Sequence, residues 1–439
     1  MADLIQPRTL KGFRDYPPEL MIPRERLLEQ ARRVYRSYGY APIDTPALEY
    51  AEILLGKGGE ESDKLIYRFR DHGDRDVALR FDLTVPFARF AAQNIGKLGT
   101  PFKRYAMGPV WRGENTAHGR FREFWQLDFD TIGTTSNASD IEVTLVIHDL
   151  MRALGFERFT VHINNRMVLN GLLEQLGLAD KSKALLIALD KLPKDGKDAV
   201  ADEMKEKAGI TATQAERVLA LAQTHGSNAE ILNALQKEFG SNNKAAEGIR
   251  RLRELIEVTR AAGISEECIR LELAIARGLD YYTGTIYETF LTDLPGIGSV
   301  CSGGRYDNLA SLYTKQVLPG VGASLGLDRL LAAMEELKMI PSTATPAPVL
   351  MLQFTAERLG EYQHMARTLR AAGIGVEVYP EAKKVGQQLQ YAERRGFKLA
   401  LIAGPDEFAK GVWKIKDLEK REERTVPAGE LLEAIRRML

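Results

Sequence analysis

The stretch from Phe102 to Ile132 constrains the fold of this chain more than any other segment. Apolar residues recur there with period two on either side of a polar segment, Gly113 to Gly119. This alternation predicts two antiparallel strands joined by a long loop. Alternate side chains of a strand share a face, so Gln126, Asp128 and Asp130 point to one side while their apolar neighbours point to the other. One face of the sheet is therefore polar, either as an ordinary solvated surface or as a binding surface.

Length and composition describe a globular protein of several domains. The chain has 439 residues, which is too long for one compact core and favours two or three domains. Hydrophobic residues make up 44% and charged residues 27%, far from the composition of a disordered chain. The 60 basic and 60 acidic side chains cancel, so the net charge gives no sign of a nucleic-acid partner. A local basic stripe is still compatible with this neutral total.

The N-terminus and the cysteines favour a cytoplasmic protein without disulfides. Asp3, Arg8 and Lys11 interrupt the region where a signal peptide needs an apolar run, and no run of about 18 apolar residues follows. The two cysteines are Cys268 and Cys301, and the sequence has no CxxC motif and no histidine pair at metal spacing. We expect both cysteines to be packing residues, and we expect no metal cluster held by protein side chains.

Helical patterns lie on both sides of the predicted strands. Apolar residues recur at helical spacing from Glu19 to Tyr38, and Gly39 follows at the position of a C-terminal cap. A second helix is expected from about Ala138 to Leu154. From Gly171 to Gly263 the sequence is rich in Ala, Leu, Lys and Glu, which predicts an inserted helical module.

The C-terminal part follows a segment with the composition of a linker, Pro341 to Pro348. Three extended runs alternate there with two helical segments, and the extended runs are Val349 to Phe354, Gly375 to Tyr379 and Leu399 to Ile402. This β-α-β-α-β order predicts a small α/β domain with a parallel sheet.

Three glycine-containing segments carry residues suited to a ligand. ARGLDYYTG, residues 276–284, places an arginine after an apolar strand expected to run to Ile275, where a guanidinium needs an anion. CSGGRYDNL, residues 301–309, has a glycine pair that lets backbone approach a ligand closely. GVGASLGLDRL, residues 320–330, lacks the spacing of a dinucleotide fingerprint, and the chain has no GxxxxGK[ST] motif. Rossmann and P-loop sites are therefore excluded.

These segments together resemble the histidyl-tRNA synthetase family of class II aminoacyl-tRNA synthetases, over nearly the whole chain. The three class II motifs are seen at Gly39–Glu49, Trp111–Asp130 and Gly320–Leu330. RGLDYYTG and SGGRYDN resemble motifs specific to the histidine enzymes. The HIGH and KMSKS signatures of class I synthetases are absent.

The resemblance implies a fold and a reaction. The expected reaction is the activation of L-histidine with ATP to histidyl-adenylate and pyrophosphate, followed by transfer of histidine to the 3′ end of tRNA(His). The expected fold is α+β, with a class II antiparallel sheet flanked by helices. The expected domains are the catalytic core at 1–170 and 264–338, a helical insertion at 171–263, a linker at 339–348 and an anticodon-binding α/β domain at 349–439.

Activation builds charge on phosphate oxygens, and the planar, permanently charged arginine fork suits them. Arg112 and Arg277 are the catalytic candidates, and the resemblance gives Arg277 a role that a metal fills in other class II enzymes. ATP is expected as a substrate together with Mg²⁺. The residues expected to bind ATP are Arg112, Glu114, Arg120, Arg277 and Arg329.

Recognition of histidine needs an acceptor for a ring N–H, a partner for the second ring nitrogen and a counter-charge for the α-amino group. By the resemblance, the residues expected at the ring are Asp130, Tyr282 and Tyr306, and those at the α-amino and carboxylate end are Asp82, Thr84 and Gln126. Tyr281 is interpreted as a core aromatic residue and is left out of the site.

The C-terminal domain has a small excess of basic over acidic residues, with several polar and basic residues in and around one predicted helix. Alone, this pattern is typical of a solvated helix face. The resemblance to the anticodon-binding domain of these synthetases instead assigns the helix to the tRNA anticodon. The residues expected there are Lys383, Lys384, Gln387, Arg394 and Arg395. A homodimer formed through the motif 1 helix and a strand that includes Pro46 is also implied.

Two other classes of protein share this fold. The regulatory subunit of ATP phosphoribosyltransferase binds histidine as a feedback signal, but such proteins typically lack the RGLDYYTG arginine and the anticodon-binding domain. An uncharged-tRNA sensor would need a kinase domain, which this sequence lacks. Histidine-dependent pyrophosphate exchange separates an enzyme from both alternatives.

Overall fold

The computed structural model describes residues 4–56, 63–275, 281–340 and 344–439. The chain divides into two compact units. The first comprises Met1–Arg14 and Leu27–Leu337, and the second comprises Asp15–Arg26 and Lys338–Leu439. In the part of the chain described, no helix combines the length and apolarity needed to cross a membrane.

The helices begin with a long one, as the spacing of apolar residues from Glu19 predicts. In chain order they are α1 Pro18–Ser37, α2 Ala51–Leu54, α3 Thr84–Leu98, α4 Asn137–Ala153, α5 Arg166–Gln175, α6 Ser182–Leu189, α7 Leu192–Ala208, α8 Ala212–Ala222, α9 Asn228–Phe239, α10 Asn243–Ala261, α11 Leu327–Glu336, α12 Leu359–Ala371, α13 Val385–Arg395, α14 Pro405–Lys410 and α15 Leu431–Met438.

The strands follow the same order. They are β1 Ala41–Pro42, β2 Leu48–Tyr50, β3 Arg68–Arg70, β4 Asp76–Leu79, β5 Phe102–Trp111, β6 Glu123–Ile132, β7 Phe159–Asn165, β8 Ile269–Leu271, β9 Thr285–Leu291, β10 Cys301–Tyr306, β11 Gly320–Gly326, β12 Val349–Met351, β13 Val376–Val378, β14 Leu399–Ile402, β15 Val412–Asp417 and β16 Glu423–Pro427.

A large sheet forms the centre of the first unit. Its described strands number eight, in the order β1-β5-β6-β11-β10-β9-β7-β8. The inner pairs are antiparallel, and only the edge pairs β1–β5 and β7–β8 are parallel among these strands. Strands β5 and β6 pair from Phe102 opposite Ile132 to Trp111 opposite Glu123. The predicted antiparallel pair with its long loop is confirmed.

The apolar face of β6 is covered by aromatic side chains from the segment that includes α1. The ring of Tyr35 lies 5.1 Å from the ring of Phe129, and its hydroxyl donates to the carbonyl of Leu127 at 3.0 Å. Tyr40 packs edge-on against Phe129 at 5.6 Å. Burying one such side chain stabilises the fold by about 1.5–3 kcal/mol, so the register of β6 is strongly fixed. The opposite, polar face is thereby held toward the candidate site.

One predicted strand ends earlier than its apolar pattern suggests. Leu271, Leu273 and Ile275 alternate, yet β8 ends at Leu271. The side-chain amide of Asn164 donates to the carbonyls of Leu273 and Ile275, at 3.2 and 3.0 Å. A side chain therefore satisfies backbone groups that a longer strand would have paired, and the chain turns although Leu273 stays buried.

From Arg166 to Ala261 the described elements are helices, as the composition predicts. Two of the helices begin with capping boxes, in which Thr211 and Gln214 cap α8 and Ser227 and Glu230 cap α9. These two helices are therefore fixed at their N-termini by local hydrogen bonds.

The second unit contains a five-stranded sheet among its described residues, in the order β13-β12-β14-β15-β16. Strand β12 is parallel to β13 and β14, so the predicted β-α-β-α-β arrangement is confirmed. Strand β15 is antiparallel to β14 and to β16, so the sheet is mixed, and the sequence predicted only its three parallel strands. Strand β15 alternates buried and partly exposed side chains, a pattern that an antiparallel strand near a sheet edge allows.

Candidate active site

The floor of the site is the polar face of β6, opened by small residues on both neighbouring strands. Gln126 lies opposite Gly108 of β5 and Gly326 of β11. Asp130 lies opposite Gly322, where an added Cβ would sit 2.2 Å from the Asp130 Oδ1 atom. A residue with a side chain at 322 would therefore fill the space that the carboxylate occupies. The glycines of the third class II motif therefore leave room beside β6 for its polar side chains.

The three side chains predicted to contact the imidazole ring, Asp130, Tyr282 and Tyr306, lie in neighbouring parts of the structure. Asp130 is buried, and the hydroxyl of the buried Tyr306 donates to its Oδ1 at 2.6 Å. Tyr282 packs closely over Gly304, whose added Cβ would lie 2.9 Å from the Tyr282 ring. The ring of Tyr281 lies edge-on to both other tyrosines, at 5.1 Å from Tyr282 and 5.9 Å from Tyr306.

The second end of the pocket lies at the start of α3. Asp82 accepts hydrogen bonds from the backbone N–H of Val85 at 3.0 Å and from the hydroxyl of Tyr281 at 3.2 Å. Thr84 donates to Asp128 Oδ2 at 3.4 Å. The interpretation of Tyr281 as only a core aromatic residue was therefore incomplete, because its ring packs against the core while its hydroxyl contacts a pocket carboxylate.

Two residues of the site, Arg104 and Asp128, are absent from the residues that the sequence predicted to bind histidine. Arg104 faces Asp130 across β5 and β6, with its Nη2 atom 2.7 Å from Asp130 Oδ2 and 3.7 Å from Asp128 Oδ2. Both Arg104 and Asp128 are buried. The period-two rule had already placed Asp128 on the face of Gln126 and Asp130, whereas the position of Arg104 follows from the register of β5 against β6.

Burial governs the charge of the pocket. It raises the pKa of Asp82 to about 6 and that of Asp130 to about 7, and it also raises the pKa of Asp128, against the opposing effect of Arg104 on the latter two aspartates. Burial and the neighbouring carboxylates raise the pKa of Tyr282 and of the other two tyrosines, which therefore stay protonated donors. The pocket combines carboxylate acceptors with tyrosine donors, which suits a ligand with an ammonium group and a ring N–H.

The basic side of the site lies where β5 enters the long loop. Arg112 donates through Nε to the carbonyl of Phe81 at 2.9 Å. Glu114 lies between two guanidiniums, with Arg112 at 3.8 Å and Arg120 at 3.6 Å. All three side chains are partly exposed, so an anion can reach the two guanidiniums.

Arg329 is brought to the same loop by the first turn of α11. Its neighbour Asp328 accepts from the backbone N–H of Trp125 on β6 at 2.7 Å, which anchors the helix to the sheet. A Cβ added to Gly119, in the loop, would lie 3.3 Å from the Cα of Arg329. Arg329 itself donates to the carbonyl of Ser299. The loop and α11 thus bring Arg120 and Arg329 to one side of the site.

Arg277 lies outside the described residues, so the structure does not place this candidate. Gln126 is placed on the pocket floor, and its buried Oε1 has no hydrogen-bond partner among the described residues. A buried acceptor without a partner indicates that a ligand donor belongs there.

Arg305, next to Tyr306 in the SGGRYDN motif, is held in internal ion pairs and stabilises the fold. It is buried and donates through Nε to both carboxylate oxygens of Asp140, at 3.1 and 3.0 Å. It also donates to Asp307 at 3.1 Å. The arginine of this motif therefore fixes β10, and the tyrosine that follows it enters the pocket.

In the second unit, the expected anticodon residues divide between the two ends of α13. Lys383, Lys384 and Gln387 are exposed at its N-terminal end, where Lys383 pairs with Glu381 at 2.7 Å. Arg394 and Arg395 lie in the last turn. A helix of 11 residues is about 16 Å long, so these are two groups and not one cluster.

Gln388, which lies between these groups, is buried. Its amide donates to the carbonyls of Gln353 and Lys383, both at 2.7 Å, and accepts from the N–H of Gln353 at 3.0 Å. It attaches the start of α13 to the segment after β12.

Comparisons with known proteins identify the family. A family profile described as Histidyl-tRNA synthetase matches residues 12–330, and one described as Anticodon binding domain matches residues 347–438. A Histidine--tRNA ligase from Rhodopirellula baltica is 57% identical over 423 residues, which cover 96% of each chain.

Solved structures show the same fold. A histidyl-tRNA synthetase from Nostoc sp. PCC 7120 has a TM-score of 0.90 at 34% identity, covering 99% of this chain and 100% of that one. An ATP phosphoribosyltransferase regulatory subunit/histidyl-tRNA synthetase from Bacillus halodurans C has a TM-score of 0.75 at 23% identity, covering 89% of this chain and 97% of that one. At that identity the similarity shows the fold alone. The fold class and the family expected from the sequence are confirmed, and the chain belongs to the histidyl-tRNA synthetase family of aminoacyl-tRNA ligases.

Proposed function

We propose that the pocket on β6 binds L-histidine and that the chain activates it with ATP before transferring it to tRNA(His). The observation that carries this proposal is the group formed by Asp130, Tyr306 and the neighbouring tyrosines above a floor of small residues. Ionised Asp130 is an acceptor for one imidazole N–H, and a tyrosine hydroxyl is a partner for the second nitrogen. A side chain without these groups leaves buried polar atoms unpaired, so it is rejected by about 10⁴ to 10⁵.

The other end of the pocket suits the α-amino group. Asp82 and Asp128 supply negative charge there, and Thr84 and the unpartnered Oε1 of Gln126 supply further polar contacts. Asp82 is held by two hydrogen bonds, one from the backbone of α3 and one from Tyr281. The ammonium group is thereby fixed while the α-carboxylate points toward the basic side of the site.

The arginines on that basic side suit the reaction. A carboxylate oxygen of histidine forms a bond to the α-phosphorus of ATP, and the bond to the bridging oxygen breaks, so pyrophosphate leaves with the electron pair. Negative charge grows on the phosphate oxygens, and Arg112 is held in place to stabilise it. Arg277 is proposed to share this role, and Glu114, Arg120 and Arg329 to hold the rest of the nucleotide. In the second step a ribose hydroxyl at the tRNA 3′ end attacks the carbonyl carbon, and AMP leaves.

Mg²⁺ is proposed to enter as a complex with ATP. Over the described ranges, no three His, Cys, Asp or Glu side chains are grouped so that they could hold a metal ion. Mg²⁺ usually keeps several waters and binds through substrate phosphates with one or two carboxylates, so Glu114 is the carboxylate that fits. The ion would neutralise charge on the phosphates.

The second unit is proposed to read the anticodon of the tRNA. Unpaired bases are recognised by stacking and by hydrogen bonds to their edges, while basic side chains contact phosphates. Lys384, Gln387 and Arg394 are exposed on and beside α13, where a bound tRNA could reach them. The helical elements from Arg166 to Ala261 and the sheet of the second unit support a helical insertion at 171–263 and an anticodon-binding domain at 349–439. A cytoplasmic location of the protein is also proposed, with tRNA(His) as its partner.

A homodimer is proposed through the first class II motif. Strand β2 follows Pro46, and its Leu48 and Tyr50 are 39% and 53% exposed. These two side chains lie on the same face of β2 and form a small exposed apolar patch, which suits an interface between subunits.

Histidine-dependent exchange of pyrophosphate into ATP tests the proposed activity. The purified chain should exchange label with L-histidine and should charge tRNA(His) in a separate assay. A protein that binds histidine but catalyses no exchange would instead be a regulatory subunit, and the proposed function would be rejected.

A further inference from the structure

We propose that Arg104 is a positioning residue that determines specificity by favouring the ionised form of Asp130 and orienting its carboxylate toward the imidazole ring. This inference rests on the proposed histidine site. It concerns a residue that lies beneath the pocket and has no exposed surface through which a substrate could reach it.

The first support is the geometry of the carboxylate. Asp130 is held from two directions, with the Tyr306 hydroxyl at 2.6 Å from Oδ1 and Arg104 Nη2 at 2.7 Å from Oδ2. The hydrogen bond on one oxygen and the close positive charge beside the other disfavour rotation of the carboxylate. The lone pairs that remain therefore point in a defined direction, as recognition of a ring N–H requires.

The second support is the balance of charge. Asp130 and Asp128 are both buried and lie on one face of β6, and two close carboxylates cannot easily both be ionised. The guanidinium of Arg104 pairs with both of them. Arg104 opposes the rise that burial causes in the pKa of Asp130, so without Arg104 a larger share of Asp130 would bind a proton and present a donor where the ring N–H needs an acceptor. A protonated carboxyl would no longer select histidine over an isostere.

The third support is the link between the two ends of the pocket. The same Nη2 atom donates to the carbonyl of Leu83 at 3.2 Å, between Asp82 and Thr84. The guanidinium lies over the ring of Phe87 on α3, with Cζ at 4.4 Å from its centroid. Arg104 thus connects the ring end to the turn that presents the α-amino contacts. A lysine could supply the same charge, because these polar contacts come from Nη2 alone and the Nε and Nη1 atoms have no hydrogen-bond partner among the described residues.

The pH dependence of a variant depends on every group that faces Asp130. The charged and titratable groups around it are Arg104, Asp128, Tyr306, Asp82, Tyr282 and Tyr40. Burial raises the pKa of each tyrosine and so keeps it protonated across the neutral range. Asp128 and Asp82 add negative charge as the pH rises and so keep part of Asp130 protonated when Arg104 is removed.

The test compares Arg104→Met and Arg104→Lys with the parent protein in histidine-dependent pyrophosphate exchange. The histidine KM of Arg104→Met should rise at least about tenfold, while the ATP KM stays within about twofold. The rise should shrink from about pH 7 to about pH 8.5, where free histidine has a mostly neutral ring and more of Asp130 ionises. Arg104→Lys, which keeps the charge, should recover most of the loss.

A double-mutant cycle separates action through Asp130 from general damage. In the Asp130→Asn background, Arg104→Met should change the histidine KM by less than about twofold, since the charge it maintains is already absent. Arg104→Gln replaces Arg104→Met if the latter does not fold, with the same pH-dependent loss expected. Tyr287→Phe, which removes a buried hydroxyl that donates to the carbonyl of Asp140 at 2.9 Å, is the control for general loss of packing.

Exchange by the parent protein is measured first and distinguishes the two proposals. Its absence would overturn the proposed function and this assignment together. Parent exchange with an unchanged histidine KM in Arg104→Met would overturn the role of Arg104 alone. A loss that is independent of pH, or that is equally large in the Asp130→Asn background, would also overturn it.

Discussion

Replacing Asp130 by asparagine changes the hydrogen-bonding character of the pocket without changing its size. The guanidinium of Arg104 lies 2.7 Å from one carboxylate oxygen, so the oxygen of the introduced amide must turn toward it. The amide nitrogen then faces the Tyr306 hydroxyl, which can accept, and the pocket. The ring N–H of histidine would meet a donor where the parent protein offers an acceptor.

The magnitude follows from that mismatch. A buried polar group left without a partner costs about 1–3 kcal/mol, more where a charge is involved, and about 1.4 kcal/mol corresponds to a tenfold change in affinity. The histidine KM in pyrophosphate exchange should therefore rise at least about tenfold. The ATP KM should change little, because the nucleotide contacts are assigned to Arg112, Glu114 and Arg329.

Asp417→Asn is the matched control. Asp417 is buried on β15 of the second unit, where its Oδ1 accepts from the backbone N–H groups of Glu419 and Lys420 at 3.0 and 2.9 Å, so the same substitution removes a buried carboxylate that is not assigned to the pocket. Its thermal stability should fall while its histidine KM stays near that of the parent. If Asp130→Asn kept a histidine KM within about twofold while its ATP KM rose about tenfold, Asp130 would be a nucleotide-side residue and the pocket assignment would be wrong.

Other residues of the site and of the second unit lead to three further predictions. Arg277→Ala should fold normally and lose about 10² to 10³ in adenylate formation, and near-parental exchange would remove Arg277 from the catalytic assignment. Burial raises the pKa of Asp82 to about 6, so Asp82 loses its charge, and the histidine kcat/KM should fall, as the pH falls through that value. Asp82→Asn should show a shallower fall, and an equally steep one would show that another group is responsible. Lys384→Glu combined with Arg394→Glu should reduce kcat/KM for tRNA charging and leave pyrophosphate exchange unchanged, and equal charging by the variant would contradict anticodon binding by α13.

The sequence predicted the strands and helices that depend only on the pattern of neighbouring side chains. Two-residue alternation predicted β5 and β6 and placed Asp130 and Gln126 on one face, because strand geometry depends only on neighbouring residues. The bounds of α13 and of β14 also follow directly from the apolar spacing. The family resemblance supplied the residue roles, which periodicity does not contain.

The residues that were missed depend on contacts between distant segments. Arg104 joins the pocket only because β5 pairs with β6 in a register that sets it opposite Asp130. Tyr281 reaches Asp82 across 199 positions of sequence. The end of β8 is set by an amide on β7 that intercepts its backbone, which an apolar pattern cannot show. Such pairings are properties of the tertiary fold, so a linear pattern does not reveal them.

The pocket on β6 is assigned to recognise both nitrogens of the imidazole ring of histidine. The most direct measurement compares L-histidine with its two ring N-methyl isomers in pyrophosphate exchange. In each isomer a methyl group on one ring nitrogen prevents that nitrogen from forming its hydrogen bond. Asp130 and the tyrosine hydroxyls are expected to contact the two nitrogens separately, so both isomers should lose at least about 10²-fold in kcat/KM. Exchange with either isomer at close to the rate with histidine would show that one nitrogen is not recognised, and would contradict the assignment.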